Sequence, residues 1–348
     1  MSESNATEWS PSIFVLGHPL IDLAVYTNGE ALLQKYDLRP NNGIHAEERH
    51  MPIYEEIVKD YNVVYIAGGT ANVAQAAAYV MAPGSVFYTG CVGDDDLKEQ
   101  LSAANARAGV LEICDVRKGE KTGACAVIIT GHHRSLVTTL RAAKQFDRAW
   151  LNETRISRMI DSARVFYVEG YFLSHGVESL VALAKRSTDA GKTFALNISA
   201  PFVPQFYKPE LDALLPLADI VICNQEEAAA WARAFGVPDD NTTAIARSLS
   251  TLPRVNASKP RIVVITQGSS STILATSTET KVYPIQAVPD DLIVDTNGAG
   301  DAFAGGFLAG YAQNKSLAAC IDAGHRMGAL CVQSVGSQLK WPKTQRVG

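Results

Sequence analysis

Short apolar runs rich in Val, Ile and Phe recur along the chain and alternate with longer stretches of helical periodicity. The short runs fall at 13–16, 63–67, 86–91, 125–130, 165–168, 194–197, 220–223 and 262–266, and each reads as a strand. The longer stretches, at 73–81, 95–108, 176–190, 226–235, 301–313 and 317–332, read as helices. This alternation predicts βαβ units and a mainly parallel central sheet with helices on both faces, a three-layer α/β/α sandwich.

Two stretches break the rhythm. One is polar and carries Pro40, Asn41 and Asn42; the other runs from a strand into Gly131-His132-His133-Arg134-Ser135. Neither reads as a crossover helix. They predict a small lid, residues 22–67 and 122–141, over a large domain of residues 1–21, 68–121 and 142–348. Ligands of open α/β sheets bind beyond the carboxyl ends of the strands, where a lid excludes water during reaction.

Composition narrows the classes. With 348 residues, 47% of them hydrophobic, the chain can bury a substantial core. The formal net charge is −5 and no basic stripe occurs, which argues against nucleic acid as a partner. The polar start, Met1 to Ser10, and the absence of a run near the roughly 18 apolar residues that cross a bilayer argue against secretion and membrane insertion. A cytoplasmic protein is expected, with nuclear residence compatible. Six scattered cysteines contain no C-x-x-C pair, so free thiols are expected rather than a zinc site.

The strongest chemical signal is Asp295-Thr296-Asn297-Gly298-Ala299-Gly300-Asp301, placed between a short apolar run at 292–294, read as a strand, and a helix. Gly298, Ala299 and Gly300 allow successive N–H groups to converge on an anion at a helix N-terminus. A carboxylate beside such a nest would repel phosphate, so Asp301 makes better sense as a base for an attacking hydroxyl. The competing reading makes Asp301 a helix cap. The dinucleotide fingerprint does not fit, because three residues separate this loop from the strand. Gly191-Lys192-Thr193 mimics the end of a P-loop but follows a helix, so Gly191 reads as a helix C-cap.

Two further motifs are ambiguous alone. Gly68-Gly69-Thr70-Ala71-Asn72 admits close ligand approach or a plain strand–helix turn. Asn224 and Glu227, three apart at a helix start, suit either Mg²⁺ held through water or a capping box.

Together and in this order, the three motifs resemble those of the ribokinase-like (PfkB) carbohydrate kinases, over nearly the whole chain. Gly17-His18-Pro19-Leu20-Ile21-Asp22 is similar to the opening G-N-P-L-L-D of the members that phosphorylate adenosine. Residues 127–137 resemble their I-T-G-x-x-R-S-L turn, 196–202 their L-N-L-S-A-P-F stretch, and 295–306 the family's D-T-N-G-A-G-D-A-F-x-G-G signature. The resemblance implies a ribokinase-like sandwich with a small α/β lid, and phosphoryl transfer from ATP to the 5′-hydroxyl of a nucleoside, with adenosine the expected acceptor.

It also implies roles. Asp301 would be the general base, and Gly298, Ala299 and Gly300 the anion hole. Arg134 would reach the γ-phosphate. Asp22 would accept from the ribose hydroxyls, with His18, Gly69, Thr70, Asn72 and Asn297 lining the nucleoside and Phe172 and Phe202 flanking its base. Thr266, Gln267, Gly268, Asn224 and His325 would border ATP, and Glu227 with Asn224 would organise Mg²⁺ through water. A monovalent cation such as K⁺ and a monomeric state are further expectations from the family. The chain departs from the pattern at His18, where Asn is usual, at Gly43 and His45, and in a glycine loop one residue short. A kinase of another nucleoside or of a sugar, and a non-catalytic nucleoside-binding regulator, remain alternatives.

Overall fold

Ile13–Leu16 forms the interior of a nine-stranded sheet, pairing in parallel with Val86–Thr89 on one side and Val165–Glu169 on the other. The computed structural model describes residues 10–27, 30–40, 42–131, 133–256, 259–341 and 343. Residues 1–9 of the polar start, Asn41 and His132 lie outside them. From Val165–Glu169 the sheet continues in parallel through Thr193–Asn197, Ile220–Asn224 and Ile262–Thr266. It ends in an antiparallel hairpin, Thr272–Ala275 and Thr280–Tyr283.

Alternate residues of these strands feed two cores. Phe14, Leu16, Phe166 and Val168 pack with Leu180, Leu183 and Trp231 on one face. Ile13, Val15, Val165 and Tyr167 pack with Val73, Ala77 and Phe307 on the other. The strands read as continuous apolar runs because both of their faces are covered.

A second, five-stranded sheet is ordered Gly43–His45, His133–Thr139, Gly123–Thr130, Pro19–Tyr26 and Val64–Gly69. Two residues separate Pro19–Tyr26 from Ile13–Leu16 of the large sheet. Residues Gly17 and His18 therefore form the bridge between the sheets. The helix Ile53–Asp60 buries Ile53, Tyr54 and Ile57 in the core that also holds Leu23, Val25 and Ile128 of this sheet.

The run at 292–294, expected as a strand, is not one. Leu292 closes a short 3₁₀ turn, and Ile293 and Val294 are 40% and 55% exposed. The run has no strand partner; Val294 and Asp295 instead donate their N–H groups to the Val332 carbonyl.

Candidate functional site

The glycine-rich loop leads directly into the helix Ala299–Ala312. Gly298 occupies the left-handed region (φ 75°), and a Cβ there would approach Ser337 Cβ to 2.8 Å. The helix has no side-chain cap; the Ala299 N–H turns back to the Thr296 carbonyl at 3.4 Å, and the N–H groups after it are available to a ligand. Asp301 lies in its first turn. It does not cap the helix: its carboxylate accepts from Asn72 Nδ2 at 3.1 Å. Asn72 belongs to the helix Ala71–Val80, which crosses closely because Gly305 has no side chain; a Cβ there would sit 2.6 Å from the Val73 carbonyl oxygen.

Asp301 borders two cavities. One, of about 280 Å³, lies between the two sheets; the other, of about 320 Å³, lies over the carboxyl ends of the large sheet's strands. Both are lined by Glu169, Tyr171, Asn297 and Asp301. Burial pushes the Asp301 carboxyl above the ordinary carboxylate range, against the lowering effect of the Asn72 hydrogen bond. A helix N-terminus alone would favour ionisation; here desolvation outweighs it. Glu169 is likewise pushed up by burial and then by the charge of Asp301.

The first cavity collects most of the residues expected around a nucleoside: His18, Asp22, Gly69, Asn72, Phe202 and Asn297. Asp22 is buried, and a Cβ on Gly68 would fall 2.2 Å from its Oδ1, so the glycine makes room for the carboxylate. Burial, with the charges of Asp301 and Asp295, raises the Asp22 pKa to about 7. His18 is buried against Phe172, with ring centroids 5.0 Å apart, and burial lowers its pKa to about 3. Gly43 and His45 also line this space.

Two expected contacts lie behind the wall instead. Thr70 is fully buried: its hydroxyl donates to Glu169 Oε2 at 2.9 Å and accepts from the His18 N–H at 3.1 Å. Phe172 is also fully buried, behind His18 and Phe146. Each sits in the local turn that ends a strand, where one side chain points into the core and its neighbour outward. Tyr171, next to Phe172, faces the cavity and lies 5.9 Å from the Phe202 ring.

The second cavity gathers Asn224, Glu227, Thr266, Gly298 and Gly300. Asn224 and Glu227 form a reciprocal capping box at the start of the helix Gln225–Phe235, and both also border this cavity. Burial raises the Glu227 pKa to about 7. Among the described residues no three His, Cys, Asp or Glu side chains cluster as direct metal ligands.

Gln267 and Gly268 follow the strand Ile262–Thr266, His325 lies in the helix Leu317–Cys331, and none of the three borders either cavity. Gln267 Nε2 donates to the Ser271 carbonyl at 2.9 Å, and His325 Nε2 pairs with Thr272 Oγ1 at 2.8 Å. Gly268 turns the chain with φ 60°. Arg134, expected in a turn and open to phosphate, belongs to the strand His133–Thr139 and forms an ion pair with Asp295. Asp295 draws it there because that carboxylate is fully buried and otherwise held by backbone N–H groups of Asn297 and Gly336.

The sequence reading missed Glu169 and Tyr171. The signal for Glu169 was present: an apolar strand ending in a carboxylate at the carboxyl edge of a parallel sheet, where ligands of such folds bind. His175, which meets His18, gave no signal.

The profile of the pfkB family carbohydrate kinases matches residues 31–344. The chain is 50% identical to an adenosine kinase of Schizophyllum commune over 97% of its own length and 99% of the relative's. It is 38% identical to an adenosine kinase of Saccharomyces cerevisiae, covering 93% and 95% of the two chains. Among solved structures it resembles Anopheles gambiae adenosine kinase in complex with P1,P4-di(adenosine-5) tetraphosphate, with TM-score 0.86, 37% identity and 93% and 96% coverage. It is also similar to Schistosoma mansoni adenosine kinase in complex with 2-fluoroadenosine, with TM-score 0.87, 32% identity and 94% and 97% coverage. With fold, glycine-rich loop and relatives in agreement, the chain belongs to the pfkB family of carbohydrate kinases.

Proposed function

We propose that the chain transfers the γ-phosphoryl group of ATP to the 5′-hydroxyl of adenosine, giving AMP and ADP. One observation carries this reading: a half-buried carboxylate at an uncapped helix N-terminus, Asp301, is common to two adjoining cavities. Two substrates in those cavities would meet at Asp301. The 50% identity to an adenosine kinase over nearly the full length supports adenosine as the acceptor.

In this reading the nucleoside fills the first cavity, with its ribose hydroxyls donating to Asp22. The phosphates of ATP fill the second. Asp301 takes the 5′-hydroxyl proton, and its raised pKa brings it nearer the operating pH, where a general base works best. The N–H groups following Gly298 stabilise charge on the transferred phosphoryl group. The five-stranded sheet acts as a lid that keeps water from the reacting hydroxyl.

Glu227 suits a divalent cation held through water. It is a buried carboxylate beside the second cavity whose raised pKa reflects burial without a cationic neighbour. Asn224 would share that task, and bound Mg²⁺ would neutralise phosphate charge. Release of ADP across adenosine, inosine, guanosine, cytidine and ribose tests the proposal. Adenosine should give the highest kcat/KM; preference for another acceptor, or no turnover, overturns it.

A further inference from the structure

Behind the first cavity stands a pair of imidazoles that the phosphoryl-transfer chemistry does not use. His18 Nε2 and His175 Nε2 face each other at 3.4 Å, with ring planes 19° apart. Phe172 packs on both, with centroids 5.0 Å from His18 and 4.9 Å from His175. His18 borders the cavity and His175 does not. His175 therefore reaches a bound nucleoside only through His18.

The protonation of the pair follows from a count of hydrogens. Ser174 Oγ lies 3.0 Å from the Tyr171 carbonyl oxygen and 3.0 Å from His175 Nδ1. A hydroxyl has one proton and a carbonyl can only accept, so the two contacts are hydrogen bonds together only when that proton goes to Tyr171. Ser174 Oγ must then accept from His175 Nδ1–H. A neutral imidazole with a proton on Nδ1 has a bare Nε2. That nitrogen can only accept, so His18 Nε2–H donates to it. His18 Nδ1 is left bare, an acceptor in a ring that lines the cavity.

Both rings stay neutral. Burial, then His175 and His45, lower His18, and burial with Lys144 lowers His175 more than the neighbouring Ala143 backbone raises it.

We propose that His175 is a positioning residue for the acceptor: it holds the His18 ring in one orientation and one tautomer, so that His18 Nδ1 accepts a hydrogen bond from an O–H or N–H group of the nucleoside. The proposal deepens the reading above, because it takes the first cavity as the nucleoside site.

Ring-nitrogen ¹⁵N shifts of the histidines in the unaltered protein test the tautomers directly. A protonated Nε2 and bare Nδ1 on His18 are expected, and the reverse overturns the proposal. Two variants test the consequence. His175→Phe keeps a ring against Phe172 but removes the acceptor; the amide oxygen of His175→Gln reaches the place of Nε2. Loss of one hydrogen bond predicts a KM for adenosine raised about tenfold in His175→Phe, a smaller change in kcat, an unchanged KM for ATP, and recovery in His175→Gln. An unchanged KM for adenosine, or a parallel fall in kcat and thermal stability without recovery by Gln, overturns it. If the unaltered protein phosphorylates no nucleoside, the functional reading fails before any variant is made; the variant outcomes bear on the imidazole pair alone.

Discussion

Asn72 holds Asp301 with the nitrogen end of its amide, because an ionised carboxylate can only accept, and its oxygen end meets Ser337. The Ser337 hydroxyl lies 2.5 Å from Asn72 Oδ1 and 3.3 Å from the Ala67 carbonyl oxygen, and Asn72 Nδ2 donates to the Asp301 carboxylate at 3.1 Å. A donated hydrogen bond favours the ionised carboxylate and so opposes the upward pull of burial. Asn72→Ala removes that donor, and the Asp301 pKa should rise further. A base must be ionised to act, so the acid limb of the kcat profile should move to higher pH. The rate should fall more under mildly acid than under mildly alkaline conditions. An acid limb that stays in place, or moves down, would show that Asn72 does not tune this carboxylate.

Much of the large sheet was legible because a parallel strand covered on both faces is a bare apolar run. Runs at 13–16, 165–168 and 262–266 match Ile13–Leu16, Val165–Glu169 and Ile262–Thr266 closely. The glycine-rich loop was legible because consecutive small residues and a lone carboxylate mark the turn into a helix, here Ala299–Ala312. Pro19–Tyr26 was not, since a leading proline and Asp22 interrupt its pattern, although seven of its eight residues are buried. The exchange of Phe172 for Tyr171 has a similar origin. Which of two adjacent aromatics faces a cavity depends on the phase of the short 3₁₀ turn Gly170–Phe172, which apolarity does not encode. His175 is tied to His18 only by tertiary packing, across 157 residues of sequence.

Asp22→Ala should remove most nucleoside binding and leave ATP binding intact. Asp22 borders the first cavity and not the second. A buried hydroxyl that loses its acceptor costs on the order of 1–3 kcal/mol, and a ribose would lose acceptors for two. Calorimetric titration with adenosine and with an unreactive ATP analogue separates the two effects. Unchanged adenosine affinity would remove Asp22 from the site.

Arg134→Ala carries two consequences that differ in kind. The role on phosphate expected from the sequence predicts a kcat that falls more than adenosine affinity does, since contact with charge in the transition state acts on turnover. The ion pair predicts a loss of stability, because fully buried Asp295 would keep only its backbone donors. The lost charged hydrogen bond is worth on the order of 1.5–3 kcal/mol. Denaturant unfolding and steady-state kinetics on one variant read both. A stability loss with wild-type kcat would make Arg134 a strut between the five-stranded sheet and the glycine-rich loop and exclude it from the chemistry.

Asp301→Asn is the sharpest test. A primary ribose hydroxyl is a poor nucleophile until its proton has an acceptor, and Asn lacks the basic lone pair that Asp301 would supply. Removing a general base typically costs about 10²–10⁴ in rate, so kcat should fall at least a hundredfold. Folding should survive, because Asp301 makes no capping bond and the helix begins at Gly298 without a side-chain cap. The Asn oxygen can still accept from Asn72, and replacing a desolvated carboxyl with a neutral amide removes a burial cost. Thermal stability should therefore be equal or higher, and both substrates should still bind. A base predicts that dissociation: intact binding, intact or improved stability, and lost turnover. A purely structural Asp301 predicts stability and rate falling together, and a near-normal rate would leave the two cavities without a catalyst between them.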